Sequence, residues 1–594
     1  MSEKSFEIRN YSFEPKAINN LAIEDHLEEN WPVVYQIYNG QQIYIGETTN
    51  LKNRMNQHLA NVEKSSLRHG SVKVVFDETF NKSAALDLES YLIQYFSGDG
   101  KFKVLNRNDG MCDRDYYDRA NYRKTFEEIW NRLRELKIAD KTISEINNSE
   151  LFKFSPYKNL NFEQLNVVTE IVQNIDEAIT HDIKSLSVID GDAGTGKTIV
   201  IMYLAKLLAD LQSFDNQNDD IDDESNFNIF FELEHINQKF KGKSIALVIP
   251  QPSLCGRIRK IFDKIDLGDA NIRIFSPIQF GKCDDDFDIT LVDEAHLLKV
   301  GVTGTLGKQV HEIDQKIFGD TGIHSELDWI MAKSKNVVLV FSDQQRIRPA
   351  NINRSDILQY ADEFNKHEYY LKTQMRSLGG KKYIDYIHDI LSNGFRPREK
   401  ETFENFEAKI FDNIQDFAEA MEKREAEYGL SRMVAGFAWK WNSKKNKSAY
   451  DIEIDGMKFR WNSTQNNWIG SKNAPKEVGS IYTVQGDDLN YVGIIIGNDL
   501  IYRNGKLVFN RKACADSGAM KRSQRQVAND ERINEDDILE QVLRTYRILM
   551  NRAVKGVYIY ACDNELRDYL KNYFTTGNNT MSRLIVGNND RLFK

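Results

Sequence analysis

Between Ser187 and Met202 an apolar strand, a glycine-rich turn and an apolar helix follow one another without a break: Ser187-Val188-Ile189-Asp190, then Gly191-Asp192-Ala193-Gly194-Thr195-Gly196-Lys197-Thr198, then Ile199-Val200-Ile201-Met202. This succession leaves few folds open. Gly191, Gly194 and Gly196 let backbone N–H groups close around phosphate oxygens, Lys197 is placed for the β- and γ-phosphates, and the Thr198 hydroxyl for magnesium. Farther on, Ile245-Ala246-Leu247-Val248-Ile249, Ile289-Thr290-Leu291-Val292 and Val337-Val338-Leu339-Val340-Phe341 are apolar runs without alternation. Strands of that kind have helices on both faces, which predicts a doubly wound parallel sheet.

A second series of such runs, Arg432–Phe437, Tyr491–Gly497 and Gly556–Ala561, predicts a second lobe of the same α/β architecture. Before them, residues 33–108 give a strand, a polar turn at Asn39-Gly40, another strand and then helices, which predicts a small separate α/β domain. The expected layout is an N-terminal extension (1–30), the small domain (31–110), a helical connector (111–153), a first RecA-like lobe (154–355) and a second (356–594). A chain of 594 residues has room for these units. No apolar run approaches the roughly 18 residues that span a bilayer. Five scattered cysteines without a Cys-x-x-Cys pair read as reduced thiols, and a cytoplasmic location is expected. A net charge of −10 argues against nonspecific coating of nucleic acid, so any such binding is local. Much of the acidity lies in Asp215–Glu224, which reads as an exposed loop.

The strand Ile289–Val292 runs into Asp293-Glu294-Ala295-His296. This places one carboxylate, Asp293, for magnesium and a second, Glu294, to polarise an attacking water. Around this pair, Leu160-Asn161-Phe162-Glu163-Gln164 precedes the loop and Pro250-Gln251-Pro252-Ser253-Leu254 follows the second strand. Ser342-Asp343-Gln344-Gln345-Arg346 ends a later strand; then come Gln374-Met375-Arg376-Ser377, Ile481-Tyr482-Thr483-Val484-Gln485-Gly486-Asp487-Asp488 and Tyr546–Gly556. In order and position these segments resemble the motifs of superfamily 1 helicases, and the region 155–565 is similar to the helicase-like part of Schlafen proteins. That resemblance implies ATP hydrolysis and nucleic-acid binding, with Gln164 reading adenine and Gln344 or Gln345, the latter favoured, sensing the γ-phosphate. It also implies that Pro250–Leu254 grips single-stranded nucleic acid, that Gly486 touches nucleotide and nucleic acid, and that Arg376 and Arg552 act as arginine fingers from the second lobe. Asn551 stands where the family usually has Thr.

Near the start, Val33-Val34-Tyr35 and Tyr44-Ile45-Gly46 flank the turn, and Arg54 and His58 follow at i and i+4 on one helix face. Glu89 interrupts an apolar helix, and Val104-Leu105-Asn106-Arg107-Asn108 supplies an asparagine. The arrangement resembles the GIY-YIG endonucleases, with Val33 where that family has glycine. Phosphodiester hydrolysis needs a metal to hold the phosphate, a deprotonated water and positive charge on the transition state. The resemblance assigns these to Glu89 (magnesium or manganese), to Tyr44 or Tyr35 with a phenol pKa brought well below about 10, and to Arg54. His58 is a proton shuttle, and Asn106 completes the site.

Two further patches leave binding and packing both open: the basic stretch Arg511–Arg525, and Trp439 and Trp441 with Lys440, Lys444, Lys445 and Lys447. The expectation is an ATP-driven translocase or helicase that moves on nucleic acid, DNA before RNA, with a tethered nuclease that cuts it, serving anti-phage defence or DNA repair. The alternatives are a switch that gates the nuclease without translocating, and a motor with a non-cutting clamp. An oligomer or a protein partner is compatible with either.

Overall fold

The computed structural model describes residues 6–19, 31–61, 63–106, 115–213, 236–265, 267, 270–301, 307–393, 399–464, 467–484, 486–516, 524–530 and 532–577. The acidic segment 215–224, Arg107, Asn108, Gln485 and most of the tip of the basic stretch lie outside the described residues.

The N-terminal unit is a five-stranded sheet in the order β1-β4-β2-β3-β5, with β1 Phe6–Ser12, β2 Val33–Tyr38, β3 Gln42–Thr48, β4 Ser71–Asp77 and β5 Lys103–Val104. The side chain of Asn39 closes the β2–β3 turn, accepting from the backbone N–H groups of Gln41 (2.8 Å) and Gln42 (2.7 Å). Helix α1 (Leu51–Ala60) covers one face and α2 (Lys82–Asp99) the other, each started by an asparagine whose side chain accepts a first-turn N–H. The stretch read as an N-terminal extension contributes β1, paired along its whole length with β4. As an edge strand in which Phe6 alone is buried, it carries little sequence signal.

Connector helix α3 (Arg119–Glu135) is no loose link. Phe126, Ile129, Trp130 and Leu133 are fully buried, and Trp130 packs edge-on against Phe96 of α2 at 5.0 Å between centroids. The nuclease-side core, the connector and the following lobe share one continuous apolar cluster.

The first lobe is a six-stranded parallel sheet in the order β11-β6-β10-β9-β7-β8. Its strands are β6 Ser185–Gly191, β7 Ile245–Val248, β8 Ile272–Phe275, β9 Phe287–Val292, β10 Ser334–Val340 and β11 Asn365–Leu371. Helix α4 (Phe162–His181) leads in, α5 (Lys197–Ser213) follows the glycine-rich loop, and α6 (Pro252–Phe262) follows β7. The lobe runs past the expected boundary at residue 355, because β11 pairs with β6 from Asn365↔Ser185 to Leu371↔Gly191. Its sequence, Asn-Lys-His-Glu-Tyr-Tyr-Leu, is polar because it is the sheet edge.

The second lobe is also six-stranded and parallel, in the order β14-β13-β15-β16-β12-β17. It comprises β12 Glu407–Ile410, β13 Ser431–Ala435, β14 Val478–Gly479, β15 Leu489–Ile496, β16 Ala553–Ala561 and β17 Thr575–Thr576, with helix α7 (Glu535–Met550) before β16. The two RecA-like sheets put the loop after β6, the acid pair after β9 and the turn before β16 around one cleft.

Candidate functional site

The loop after β6 is built to wrap an anion. Gly194 (φ +88°) and Gly196 (φ +80°) adopt left-handed conformations that side chains disfavour, and a Cβ at either would strike Gln374 or Gln164. Lys197 Nζ donates to the carbonyls of Gly191 (2.6 Å) and Asp192 (2.9 Å). Burial pulls its ammonium down to about 8, against the pull of Glu294. The Thr198 hydroxyl donates to Asp293 Oδ1 at 3.2 Å. Asp293 Oδ2 is buried without a partner among the described residues, and burial, helped by neighbouring Glu294, pushes that carboxyl up to about 7. A carboxylate so placed, beside a hydroxyl and a phosphate-binding loop, is chemically suited to a hard divalent cation.

Glu294 sits in left-handed backbone (φ +51°), uncommon for a side chain of its kind. Burial works to raise its carboxyl, but His296, Arg552, Lys197 and Arg376 together outweigh it and hold the group below its usual range. His296 Nε2 lies 3.1 Å from Glu294 Oε2, and burial lowers that imidazole to about 4, against the pull of Glu294.

Both arginines reach this cleft. Arg552, between α7 and β16, is 1% exposed, its Nε and Nη2 have no acceptor among the described residues, and burial beside Arg376 lowers it to about 10. Arg376 stands on the crossing segment just after β11. Met375 N–H there donates to Gly194 O (2.8 Å) and Gln374 Nε2 to Ala193 O (2.8 Å), while Leu378 N–H donates to Val554 O of β16 (2.9 Å). The segment is thus tied to the glycine-rich loop and to the second lobe alike. Arg376 is held by an ion pair with Asp488.

Gln164 is spoken for: its Oε1 accepts from Asn161 N–H (3.0 Å) and its Nε2 donates to Thr195 O (3.0 Å). It braces the loop, and adenine reading would have to use what hydrogen-bonding capacity remains. Gln345 is buried and Gln344 exposed. Arg544 of α7 donates to the carbonyls of Asp343 (3.2 Å) and Arg346 (3.1 Å), tying the second lobe to that turn. Gly486 packs over Gln251 and Leu254, so the two nucleic-acid motifs of the resemblance meet across the cleft. Sequence reasoning gave no role to Arg257, Asp487 or Lys153. Arg257 of α6 pairs with Asp487 and with Glu150 at 3.1 Å, and Lys153 donates to Asp488 O at 2.8 Å. The only sequence signal was the doubled acid after Gly486. Trp439 and Trp441 are half-buried, Trp439 against Trp461 at 6.5 Å, which favours packing.

In the N-terminal unit, Tyr35, Tyr44, Arg54, His58 and Glu89 come together. Tyr35 faces Gly46 across the β2–β3 pair, and its hydroxyl occupies the space a Cβ at Gly46 would take. Tyr35 Oη lies 2.7 Å from His58 Nε2, and the Tyr44 ring meets His58 edge-on at 5.1 Å. Burial pushes the Tyr35 phenol well above its ordinary value; Tyr44 adds to the rise, and Arg54 opposes it through charge and a hydrogen bond. Glu89 is half-exposed on α2, and its charge acts on Tyr35. Asn106 departs from expectation. Its Oδ1 accepts from Ile45 N–H (3.1 Å) and its Nδ2 donates to Ile45 O (2.7 Å), which extends the β3–β5 ladder and makes it a structural clamp on Tyr44-Ile45-Gly46.

A phosphate loop between two RecA-like lobes, joined to a Tyr–His–Arg–Glu cluster on a small sheet, defines a nuclease domain fused to a helicase-type domain. The family model described as "Schlafen group 3, DNA/RNA helicase domain" matches residues 184–563, and that described as "GIY-YIG catalytic domain" matches residues 32–101. The chain belongs to the Schlafen group 3 DNA/RNA helicase domain family and carries a GIY-YIG domain at its N-terminal side. It is similar to "Uncharacterized protein YPL245W" of Saccharomyces cerevisiae (strain ATCC 204508 / S288c), 26% identical over 420 residues, which covers 65% of this chain and 84% of the relative. Among the described residues no helix is long and apolar enough to cross a membrane.

Proposed function

We propose that this chain hydrolyses ATP between its two lobes to move along or remodel nucleic acid, DNA in preference to RNA, while the N-terminal domain cuts it. The observation that carries this reading is the Arg552 guanidinium, fully buried in the cleft with donors left over. Buried donors without acceptors are costly unless a ligand completes them, and a triphosphate beside Lys197 is the ligand that fits.

In this reading Lys197 and the loop N–H groups hold the β- and γ-phosphates. Thr198 and Asp293 would hold magnesium, which, when bound, draws charge off the phosphates. Glu294, kept ionised by its cationic neighbours, orients water at the γ-phosphate, and Gln345 senses that group. Arg376 and Arg552 stabilise the charge that spreads over the transferred group. Since Arg552 comes from the second lobe, hydrolysis is tied to lobe closure.

For cutting, Glu89 would hold magnesium or manganese, Arg54 braces the scissile phosphate, and Tyr35 and Tyr44 position the water. The nuclease is fixed to the first lobe through α3 and by Ser90 Oγ, beside Glu89, donating to Asn159 Oδ1 at 2.7 Å. It therefore cuts at a set distance from the motor. Such a pairing suits restriction of foreign DNA or DNA repair, inside the cytoplasm. The test is cleavage of defined single- and double-stranded DNA and RNA with and without ATP, for wild type, Glu89→Ala and Lys197→Ala. Cutting that persists in Glu89→Ala, or ATPase that persists in Lys197→Ala, overturns the corresponding half.

A further inference from the structure

Lys64, from the short turn Glu63–Leu67, belongs to no motif that the sequence singles out. Its Nζ lies 2.7 Å from His58 Nδ1 and 3.8 Å from the centroid of the Tyr44 ring. On the far side of the same imidazole, Nε2 lies 2.7 Å from Tyr35 Oη. Resting on the nuclease reading above, we infer that Lys64 is a positioning residue that fixes His58 in the Nε2–H form, so that Tyr35 accepts a hydrogen bond from the imidazole.

Donors and acceptors fix the tautomer. A lysine ammonium carries three donors and no acceptor, so Nδ1 must accept from it and bears no proton. A neutral imidazole has a single N–H, which then stands on Nε2 and points at Tyr35 Oη. The Tyr35 hydroxyl proton is thereby turned away from His58, and the oxygen is backed by a donor that favours its deprotonated form. A doubly protonated His58 would set an N–H against the Lys64 ammonium. His58 therefore orients Tyr35 and does not carry a proton through the ring. The same ammonium over Tyr44 favours the anionic form of that phenol. Lys64 thus favours the phenolate of both tyrosines, the form that can take a proton from water once the phenol proton has passed to solvent.

Two readouts on the full chain test this. In ¹⁵N-histidine-labelled protein, which holds ten histidines, the His58 signals are identified by their loss in His58→Gln, and long-range proton–nitrogen correlations report the tautomer. The expected pattern is Nε2–H in wild type and a shift toward Nδ1–H in Lys64→Met. An Nδ1–H pattern in wild type, or an unchanged pattern in Lys64→Met, overturns the inference. In plasmid cutting with magnesium or manganese, Lys64→Met is expected to lower kcat about 10- to 100-fold with KM little changed, as removal of a group that orients a reactive one does. Lys64→Arg should recover part of the loss, and ATP hydrolysis should be unaffected. Wild-type cutting matched by Lys64→Met refutes the positioning role. No wild-type cutting alongside the expected tautomer shift refutes the nuclease reading and leaves the Lys64–His58 relation standing.

Discussion

Arg257 of the first lobe and Asp487 of the second meet in a two-pronged pair, Nη1 to Oδ1 at 2.6 Å and Nη2 to Oδ2 at 3.0 Å, with both side chains buried. Asp487 follows Gly486 and precedes Asp488, which holds Arg376. The pair therefore latches the lobes at the point where the nucleic-acid motifs and the arginine meet.

Removing one member of such a pair strands the other. Asp487→Ala is expected to lower unfolding stability by about 3–5 kcal/mol, less whatever Glu150 recovers at 3.1 Å from Arg257. Arg257→Met/Asp487→Leu should lie closer to wild type than Asp487→Ala does. Urea unfolding of the three proteins decides this, and a double variant weaker than Asp487→Ala argues against the latch.

The free enzyme should show a bell-shaped pH dependence of kcat/KM for ATP. Asp293 must be ionised, and burial has raised it to about 7; Lys197 must be charged, and burial has lowered it to about 8. Activity thus rises with pH as Asp293 loses its proton and falls as Lys197 loses its own. Initial rates at low ATP across this range check it, and a flat profile from mildly acidic to clearly alkaline pH contradicts it.

Asn106 offers both faces of its amide to Ile45, so its loss should act through the fold. Asn106→Ala is expected to cost about 1–3 kcal/mol, as two buried backbone groups lose their partner. Amide exchange at β3 should quicken with it. Loss of cutting with undiminished protection at Ile45 would mean that Asn106 acts in the chemistry after all.

The nuclease should not fold without its connector. A fragment ending at residue 110 lacks Phe126, Ile129, Trp130 and Leu133, each fully buried and each contributing about 1.5–3 kcal/mol by burial. That fragment is expected to aggregate or lack a cooperative transition, while one ending at residue 160 melts cooperatively. Equal stability of the two would show that α3 is dispensable.

The sequence was most informative where chemistry demands fixed residue types at fixed spacing. Gly191–Thr198 and Asp293-Glu294 follow apolar strands, and both loops lie at the sheet's carboxyl edge, as that pattern requires. Tyr35, Tyr44, Arg54 and His58 were legible for the same reason. What escaped notice lies at edges and junctions. β1 and β11 are edge strands, half polar, and read as no strand at all. Arg376 stands where the chain crosses from β11 to the second lobe, a junction that no local pattern marks. Arg257, Lys153 and Lys64 act through partners 230, 335 and 6 positions away, and no local pattern announces such pairings. Tyr44 or Tyr35 was expected to be made acidic by a metal together with Arg54; for Tyr35, the charge of Arg54 alone is outweighed by burial, an effect that no local pattern reports.

The central claim is that a triphosphate gripped at Lys197 is completed by Arg552 from the second lobe. The direct measurement is single-turnover ATP hydrolysis by Arg552→Ala beside equilibrium binding of ATP. Hydrolysis should fall by about 10³-fold or more, as for an arginine that stabilises phosphoryl-transfer charge, while the Kd for ATP changes far less. Hydrolysis at close to the wild-type rate with Arg552 removed would contradict the account.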